Sequence, residues 1–296
     1  MLLHHYQNGN ADIKLYDNGT RVIECAGEIR LKYPLNIDIR VSEKCAFGLN
    51  QKTGKAICSF CHESATTSGS DADLDDLFDV LKKLPSGIEL AIGANEVTED
   101  LLLFLEKCGN KGFVVNLTIN QGLIHRDRLL LNKCLTDGFV KGLGISYRKG
   151  MREIPTEFIA YQNTVVHVIA GIDNIEDIKN LQKQGVKKIL VLGEKDFGFN
   201  LGKVKIVSES HRRWYRQLHQ LFDIFDIVSF DNLALEQLNV KRFVKDWETT
   251  YQHEYSFYIN AVQKYFSPSS RSGEISYYDG RVSIEDYFSK LFKESK

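Results

Sequence analysis

The sequence predicts an α/β fold in which parallel strands alternate with helices. Seven apolar segments of strand length recur along the chain, and segments with helical spacing of apolar residues lie between them, which is the pattern of repeated β/α units. The run 189–192 is apolar at every position, as expected for a strand buried on both faces. The count and order fit a partial β/α barrel, and a doubly wound open sheet is the alternative. In both folds, ligands bind at the carboxyl ends of the strands.

The first predicted element is a short hairpin at residues 11–26. Asp17-Asn18-Gly19-Thr20 separates two short segments rich in β-branched and aromatic residues. Asn-Gly favours a type I′ turn, because both central residues of that turn need positive φ.

Residues 33–232 carry the predicted β/α units. The strands are predicted at 37–41, 88–92, 113–119, 139–146, 164–170, 187–192 and 225–230. The helices are predicted at about 71–84, 98–108, 126–136, 153–161, 174–184 and 207–221. Asp173 with Glu176 indicates a capping box, and the basic cluster at 211–214 is interpreted as a solvated helix face. Residues 233–296, rich in aromatic residues and serine, are predicted to form a C-terminal extension or cap on the same single domain of 1–296.

Composition excludes several classes of protein. The formal net charge of -1 provides no global basic field for nucleic acid. No run of eighteen apolar residues and no signal-peptide pattern are found, so we expect a cytoplasmic protein without a membrane span. Six cysteines in 296 residues do not suggest a disulfide framework.

Three of the cysteines lie close together in sequence, directly after the first predicted barrel strand. Cys45, Cys58 and Cys61 have the spacing C-x12-C-x2-C. Three thiolates can bind three irons of a [4Fe–4S] cluster and leave the fourth iron open. The alternative is a structural zinc site with His62 as a fourth ligand. The other three cysteines are isolated in sequence, and we expect them to be buried as small apolar residues.

This region resembles the cluster loop of radical S-adenosylmethionine (SAM) enzymes. Their motif is C-x3-C-x-aromatic-C in the loop after the first barrel strand, and Phe60 occupies the aromatic position. The first gap differs, because it holds twelve residues rather than three. The resemblance covers roughly residues 33–232 and includes radical SAM proteins of phages and bacteria whose substrates are mostly unassigned. It implies a partial (βα)6-type barrel, a [4Fe–4S] cluster, S-adenosyl-L-methionine as cofactor, and an electron donor such as flavodoxin or ferredoxin.

The resemblance also implies roles for residues at the strand ends. The segment Gly93-Ala94-Asn95-Glu96 resembles the family's GGE segment, which contacts the amino group of SAM. Small residues there let the backbone approach a ligand closely, and a carboxylate can pair with its ammonium. The remaining candidates for SAM contacts are Thr118, Asn120, Ser146 (ribose), Arg148 (carboxylate), Leu192 and Gly193 (adenine).

The substrate is not apparent from the sequence. A nucleoside or purine-like small molecule is the leading hypothesis, because no auxiliary cysteine cluster and no extra peptide-binding domain are recognised; a peptide or nucleic acid comes second. Two other functions remain open, namely a β/α enzyme with a structural zinc and a noncatalytic binding module. The candidates for substrate contact are Asp231, Asn260, Ser269, Ser270 and Arg271.

Overall fold

The computed structural model describes residues 1–205, 208–244, 255–270, 272–278 and 282–293. The strands in chain order are β1 (Leu2–Asn8), β2 (Ala11–Tyr16), β3 (Arg21–Cys25), β4 (Asn36–Arg40), β5 (Lys44–Asn50), β6 (Lys55–Ala56), β7 (Glu89–Ala94), β8 (Val114–Asn120), β9 (Gly142–Ser146), β10 (Thr164–Ile169), β11 (Lys188–Leu192), β12 (Ile227–Phe230), β13 (Ser256–Asn260), β14 (Tyr265–Ser267) and β15 (Ser276–Tyr277). The α-helices are α1 (Leu74–Leu81), α2 (Glu99–Lys111), α3 (Arg128–Thr136), α4 (Thr156–Ala160), α5 (Ile175–Lys179), α6 (Glu209–Gln217), α7 (His219–Phe222), α8 (Asn232–Gln237) and α9 (Ile284–Lys293).

A ten-stranded sheet organises the molecule, and it confirms the predicted α/β class. Its order is β12-β11-β10-β9-β8-β7-β4-β13-β14-β15. The strands from β12 to β13 pair in parallel, and β14 and β15 pair antiparallel at one edge. From β4 to β12 the neighbours in the sheet follow chain order, apart from the excursion of β5 and β6. Among the described strands β12 and β13 do not pair, so the sheet is open.

The two faces of this sheet differ in chemistry. One face carries fully buried apolar residues, such as Ile37, Leu90 and Val115, which belong to the core formed with the helices. Alternate positions point to the other face, which we term the polar face. It carries Asp38, Arg40, Ala91, Gly93, Asn116, Thr118, Gly142, Gly144, Ser146 and His167. The prediction that residues 189–192 are buried on both faces is therefore wrong, because the side chains of residues 190 and 192 are only half-buried.

The sheet is curved around its polar face. Arg40 in β4 forms an ion pair with Glu63, and Lys195, which follows β11, lies 3.3 Å from the neighbouring His62. Five strand spacings separate β4 from β11, and at about 4.8 Å each these strands would lie about 24 Å apart in a flat sheet. Burial raises the pKa of Asp38, which lies within β4 itself, and the charge of Lys195 opposes this rise, so Lys195 lies within electrostatic range of β4. Curvature therefore brings the two sides of the sheet towards each other.

An antiparallel sheet of β1, β2 and β3 covers the amino-terminal ends of the parallel strands. Arg21 forms an ion pair with Glu89 at the start of β7, and the Asn163 side chain donates to the Asp17 carbonyl at 3.1 Å. The predicted hairpin thus exists as β2 and β3, with β1 as an unpredicted third strand. The type I′ turn is wrong, because residues 17–20 form a four-residue connection in which only Gly19 has positive φ.

Several local predictions need correction. The N-cap of α5 is Asn174, while the Asp173 carboxylate accepts the Ile169 N–H at 2.6 Å, so the capping box is absent. His211 and Trp214 are buried rather than solvated, because the His211 ring meets a carboxylate and the Trp214 indole donates to the Asp173 carbonyl. Of the isolated cysteines, those at 108 and 134 are buried as expected, whereas Cys25 is half-buried.

The C-terminal segment extends the large sheet. Strand β13 lies beside β4, with Tyr258 in register with Asp38 and Asn260 in register with Arg40. Phe257 packs against aromatic side chains of β14 and α9 on the apolar side. Among the described helices, none is long and apolar enough to cross a membrane.

Candidate functional site

The cysteine loop folds as a small hairpin that returns the chain to its starting point. Cys45 lies in β5, which pairs antiparallel with β6. The Phe47 carbonyl then accepts the N–H groups of Ile57 and Cys58, both at 3.1 Å. A turn closed by the Cys61 N–H and the Cys58 carbonyl, at 3.1 Å, places the third cysteine next to the second. The long first gap therefore does not separate Cys45 from the other two cysteines in space.

Burial and backbone hydrogen bonds act in opposite directions on the thiols of Cys45 and Cys61, and the net effect raises the pKa of both. Burial raises the pKa of the Cys45 thiol, and hydrogen bonds from the backbone of residues 47 and 48 lower it. Burial likewise raises the pKa of the Cys61 thiol, against hydrogen bonds from the backbone of residues 63 and 65. The charge of Cys58 raises the pKa of both thiols, so the three sulfurs lie within electrostatic range of one another. Such N–H···S contacts tune and orient cysteine ligands of iron–sulfur clusters.

The two metal sites predicted from the sequence make different demands on the positions of the ligands. Throughout the described part of the chain, no three His, Cys, Asp or Glu side chains are placed to hold one metal ion. A [4Fe–4S] cluster binds each thiolate at a separate iron, so its ligands need not converge on one point. His62, the fourth ligand of the zinc alternative, instead places its Nε2 3.0 Å from the Glu63 carboxylate. The proximity of the three cysteines is compatible with a cluster bound by separate thiolates, and both the cluster and the zinc site stay predictions.

Contacts anchor the cysteine loop to the carboxyl ends of several strands. Arg148 follows β9 in the chain, and its guanidinium lies over the Phe60 ring, 4.8 Å from the ring centroid. Phe47 packs against Gly122, just beyond β8, where an added Cβ would come within 2.6 Å of its ring. The Arg40 guanidinium, at the end of β4, donates to the Glu63 carbonyl at 2.6 Å and forms the ion pair with its carboxylate. Three strand ends thus hold the loop at the edge where ligands bind in α/β folds.

The candidates after β7 lie directly beside this loop. Glu96 lies between two cations, 3.6 Å from the Lys44 ammonium and 3.4 Å from the Arg126 guanidinium. The Asn95 amide contacts the Ser42 carbonyl at 3.4 Å, next to the same loop. Gly93 is exposed, and an added Cβ would meet nothing within 4 Å. The polar face is therefore open at this position.

The candidates after β8 and β9 lie side by side. Asn120 is in register with Ser146, although the Asn120 side chain accepts the Gly122 N–H and so caps a turn. Thr118 lies against Gly144, where a Cβ would come within 2.5 Å of its hydroxyl. The Arg148 side chain donates to its neighbouring carbonyl at 2.5 Å, and its Nε is buried without a hydrogen-bond partner among the described residues.

Two of the candidates, Gly193 after β11 and Asp231 after β12, are joined by a hydrogen bond to the backbone. The Asp231 carboxylate accepts the Ala234 N–H at 2.7 Å, as the N-cap of α8, and the Gly193 N–H at 2.9 Å. Gly193 is required there, because a Cβ would overlap the Leu233 side chain. Leu192 is half-buried at the end of β11. The Asp231 carboxylate thus fastens two strand ends to each other, while its proposed contact with substrate stays a prediction.

The four C-terminal candidates have different surroundings. Asn260 is 1% exposed, and its side chain accepts the Gln263 N–H at 3.0 Å, which closes the turn after β13. Ser269 is exposed, and its carbonyl accepts the Ser267 hydroxyl; Ser270 is half-buried. Arg271 lies outside the described residues.

Sequence reasoning missed a set of charged residues on and above the polar face. The Asp38 carboxylate lies deep in the molecule yet is reachable by water, and it makes no hydrogen bond or ion pair within the described residues. Lys195 approaches it from the opposite side of the curved sheet. The signal for Asp38 was a lone carboxylate between apolar residues of a strand, whereas no local signal identified Lys195.

The comparisons with known proteins agree with the fold. No protein-family profile matches the chain, and no curated protein sequence matches it. Solved structures of SuiB from Streptococcus suis match over 87% of this chain with 13% identity. The chain is similar to SuiB in fold. The TM-scores are 0.62 for SuiB, 0.62 for SuiB bound to the precursor peptide SuiA, and 0.57 for SuiB bound to S-adenosylmethionine. This chain spans 66%, 65% and 64% of those three chains, just under two thirds.

Proposed function

We propose that this chain is a radical SAM enzyme. The observation that carries the proposal is the three-cysteine loop, in which backbone N–H groups meet the Cys45 and Cys61 sulfurs, at the carboxyl ends of a curved parallel sheet. A curved sheet whose strands follow chain order is what a partial β/α barrel requires. The fold similarity to SuiB, which has been solved with S-adenosylmethionine, supports the same cofactor here.

Cys45, Cys58 and Cys61 would hold the [4Fe–4S] cluster. When bound, the cluster supplies the electron that cleaves SAM into methionine and a 5′-deoxyadenosyl radical. The chain's own residues hold the reactants. Phe60 stacks against the Arg148 guanidinium and so helps to hold this side chain beside the cysteine loop. Arg148 then offers its guanidinium to the SAM carboxylate, as planar guanidinium groups commonly do.

The end of β7 would bind the amino group of the methionine moiety of SAM. Lys44 and Arg126 pair with the Glu96 carboxylate and orient it, and Gly93 leaves room for the ligand beside it. Asn95, Thr118, Asn120 and Ser146 supply hydrogen-bonding groups along the neighbouring strand ends. Leu192 and Gly193 would provide an apolar contact for the adenine.

The polar face would receive the substrate. The N-terminal sheet covers its amino-terminal end, so the substrate would enter from the carboxyl ends of the strands. Restricted access protects a reactive intermediate from solvent. SuiB has been solved with a precursor peptide, which favours a peptide substrate. The nucleoside-like small molecule suggested by the sequence has no support from the comparisons.

The test is reductive cleavage of SAM. We would reconstitute the protein with iron and sulfide without oxygen, add SAM and dithionite, and quantify 5′-deoxyadenosine by chromatography. The proposal predicts 5′-deoxyadenosine from the wild type and from the matched Cys25→Ser variant, and none above background from Cys45→Ser. Absence of 5′-deoxyadenosine from the wild type, with iron bound, would refute the proposal and leave a binding module or a different enzyme.

A further inference from the structure

The Asp38 carboxylate lies deep on the polar face without an ion-pair partner. In the described part of the chain, no nitrogen of a Lys, Arg or His side chain lies within 4.0 Å of it. Burial raises its pKa, although water can still reach the side chain. An unpaired buried charge opposes folding, and such charges are concentrated at sites that bind a ligand or carry out a reaction. Asp38 is therefore a candidate functional residue.

Two cations near Asp38 are engaged by other groups. The Arg40 guanidinium lies 3.0 Å from the Glu63 carboxylate and 3.8 Å from that of Glu43. The Lys195 ammonium lies 3.3 Å from the His62 ring, and it acts on Asp38 only through the longer-range effect of its charge. The negative charge of Asp38 is thus available to a ligand.

The residues beside Asp38 leave room for such a ligand. Its register partner in β7 is Ala91, and the next residue on that face is Gly93, where an added Cβ would meet nothing within 4 Å. Its register partner in β13 is Tyr258. Burial raises the pKa of the Tyr258 hydroxyl and the Arg40 charge opposes the rise, so the Tyr258 side chain lies on the polar face as well. A carboxylate next to an aromatic ring and open space suits a cation.

The depth of Asp38 sets the length of the group that could reach it. Asp38 lies two residues before Arg40, the last residue of β4, which is about 7 Å below the strand end at about 3.3 Å per residue. A substrate backbone at the strand ends could reach Asp38 only with a long side chain. Lys and Arg side chains carry their charge at the end of a long apolar stem, which matches this depth.

We propose that Asp38 determines substrate specificity by pairing with a cationic group of the substrate, an ammonium or a guanidinium on a long stem. This inference rests on the proposed function, in which the polar face receives the substrate. Asp38 takes no part in bond making or breaking. The same chemistry is present in a Lys or Arg side chain of a peptide and in a free polyamine.

A selection from a peptide library tests the proposal without turnover. The probe is a library of random peptides displayed on phage, selected in parallel on wild type, Asp38→Asn and Asp226→Asn, each reconstituted and supplied with SAM but no reductant. Asp226→Asn is the matched control, since it removes the same charge from an exposed residue just before β12. We expect peptides rich in Lys and Arg from the wild type and the control, and no such enrichment from Asp38→Asn.

Calorimetry then measures the contribution of the cation and identifies its source. One selected peptide is titrated beside its analogue with norleucine in place of the basic residue. The wild type should bind the charged peptide about tenfold or more tightly than the analogue, and Asp38→Asn should bind both equally. Spermidine is titrated in the same way. Spermidine binding that depends on Asp38 and is tighter than peptide binding would assign the cation to a small amine.

The proposal is overturned if the wild type and Asp38→Asn select the same peptides and bind spermidine equally. Unfolding does not explain a loss of binding, because removal of the buried charge is expected to stabilise the protein. Failure of the wild type to form 5′-deoxyadenosine with dithionite would instead contradict the proposed function, since neither binding measurement requires SAM cleavage.

Discussion

Gly198 lies where the segment after β11 touches the cysteine loop, and its replacement by alanine tests that contact. An added Cβ would come within 2.2 Å of the His62 carbonyl oxygen and 2.8 Å of the Cys61 carbonyl oxygen. Both are backbone atoms, so a side-chain rotation cannot relieve the overlap. Gly198 also has φ of +64°, in the left-handed region that disfavours side chains.

The same segment provides a matched control. Gly202 has φ of +71°, but an added Cβ there would meet nothing within 4 Å. Left-handed backbone costs a residue other than glycine roughly 1–2 kcal/mol, and overpacking costs roughly 1–3 kcal/mol more. We therefore expect Gly202→Ala to lower the free energy of unfolding by about 1–2 kcal/mol and Gly198→Ala by about 2–5 kcal/mol.

The assays are urea unfolding followed by circular dichroism and the iron retained per chain after reconstitution. Gly198→Ala should retain less iron than Gly202→Ala, because the overlap displaces the backbone between Cys61 and His62. Equal stability and equal iron retention for the two variants would show that the segment after β11 does not support the cysteine loop.

Three further predictions concern single side chains. His62→Gln should retain the wild-type amount of iron, since the His62 ring is engaged by Glu63; loss of metal, measured by elemental analysis, would favour the zinc alternative. Asp38→Asn should raise the free energy of unfolding at neutral pH, measured in urea. Burial raises the pKa of Asp38 in the folded state, so the ionised carboxylate opposes folding. The gain should shrink as the pH falls towards the pKa of Asp38 in the unfolded chain. No gain at neutral pH would contradict this. Burial, with a smaller effect of the Arg148 charge, lowers the pKa of His167 from 6.5 to about 4. The free energy of unfolding of the wild type should therefore fall by up to about 3 kcal/mol as the pH drops from 6.5 to about 4. His167→Gln should lack this component, and an identical pH profile for the two proteins would refute it.

The elements that sequence analysis predicted well are those determined by local pattern. Alternating apolar residues and helix spacing identified the seven parallel strands from β4 to β12, and Asp73 was recognised at the start of α1, where its side chain accepts two backbone N–H groups. Asp231 was recognised as an N-cap candidate for the same reason, and it caps α8. Such features depend on residues within a few positions of one another.

The features that were missed depend on contacts between distant parts of the chain. Strand β13 pairs with β4 across more than two hundred residues, and nothing local in either strand specifies that partner. Lys195 reaches the cysteine loop only because the sheet curves. His211 was expected in solvent because it stands beside two arginines, but Glu194 supplies a partner 2.8 Å away, and this contact permits its burial.

The most direct test of the central claim is the reduced-state electron paramagnetic resonance spectrum of the anaerobically reconstituted protein, recorded with and without SAM. The account predicts a [4Fe–4S] signal that changes when SAM is added and that is absent from Cys58→Ser. A colourless protein that retains zinc and shows no iron–sulfur signal would contradict it, and residues 45–62 would then be a structural metal loop.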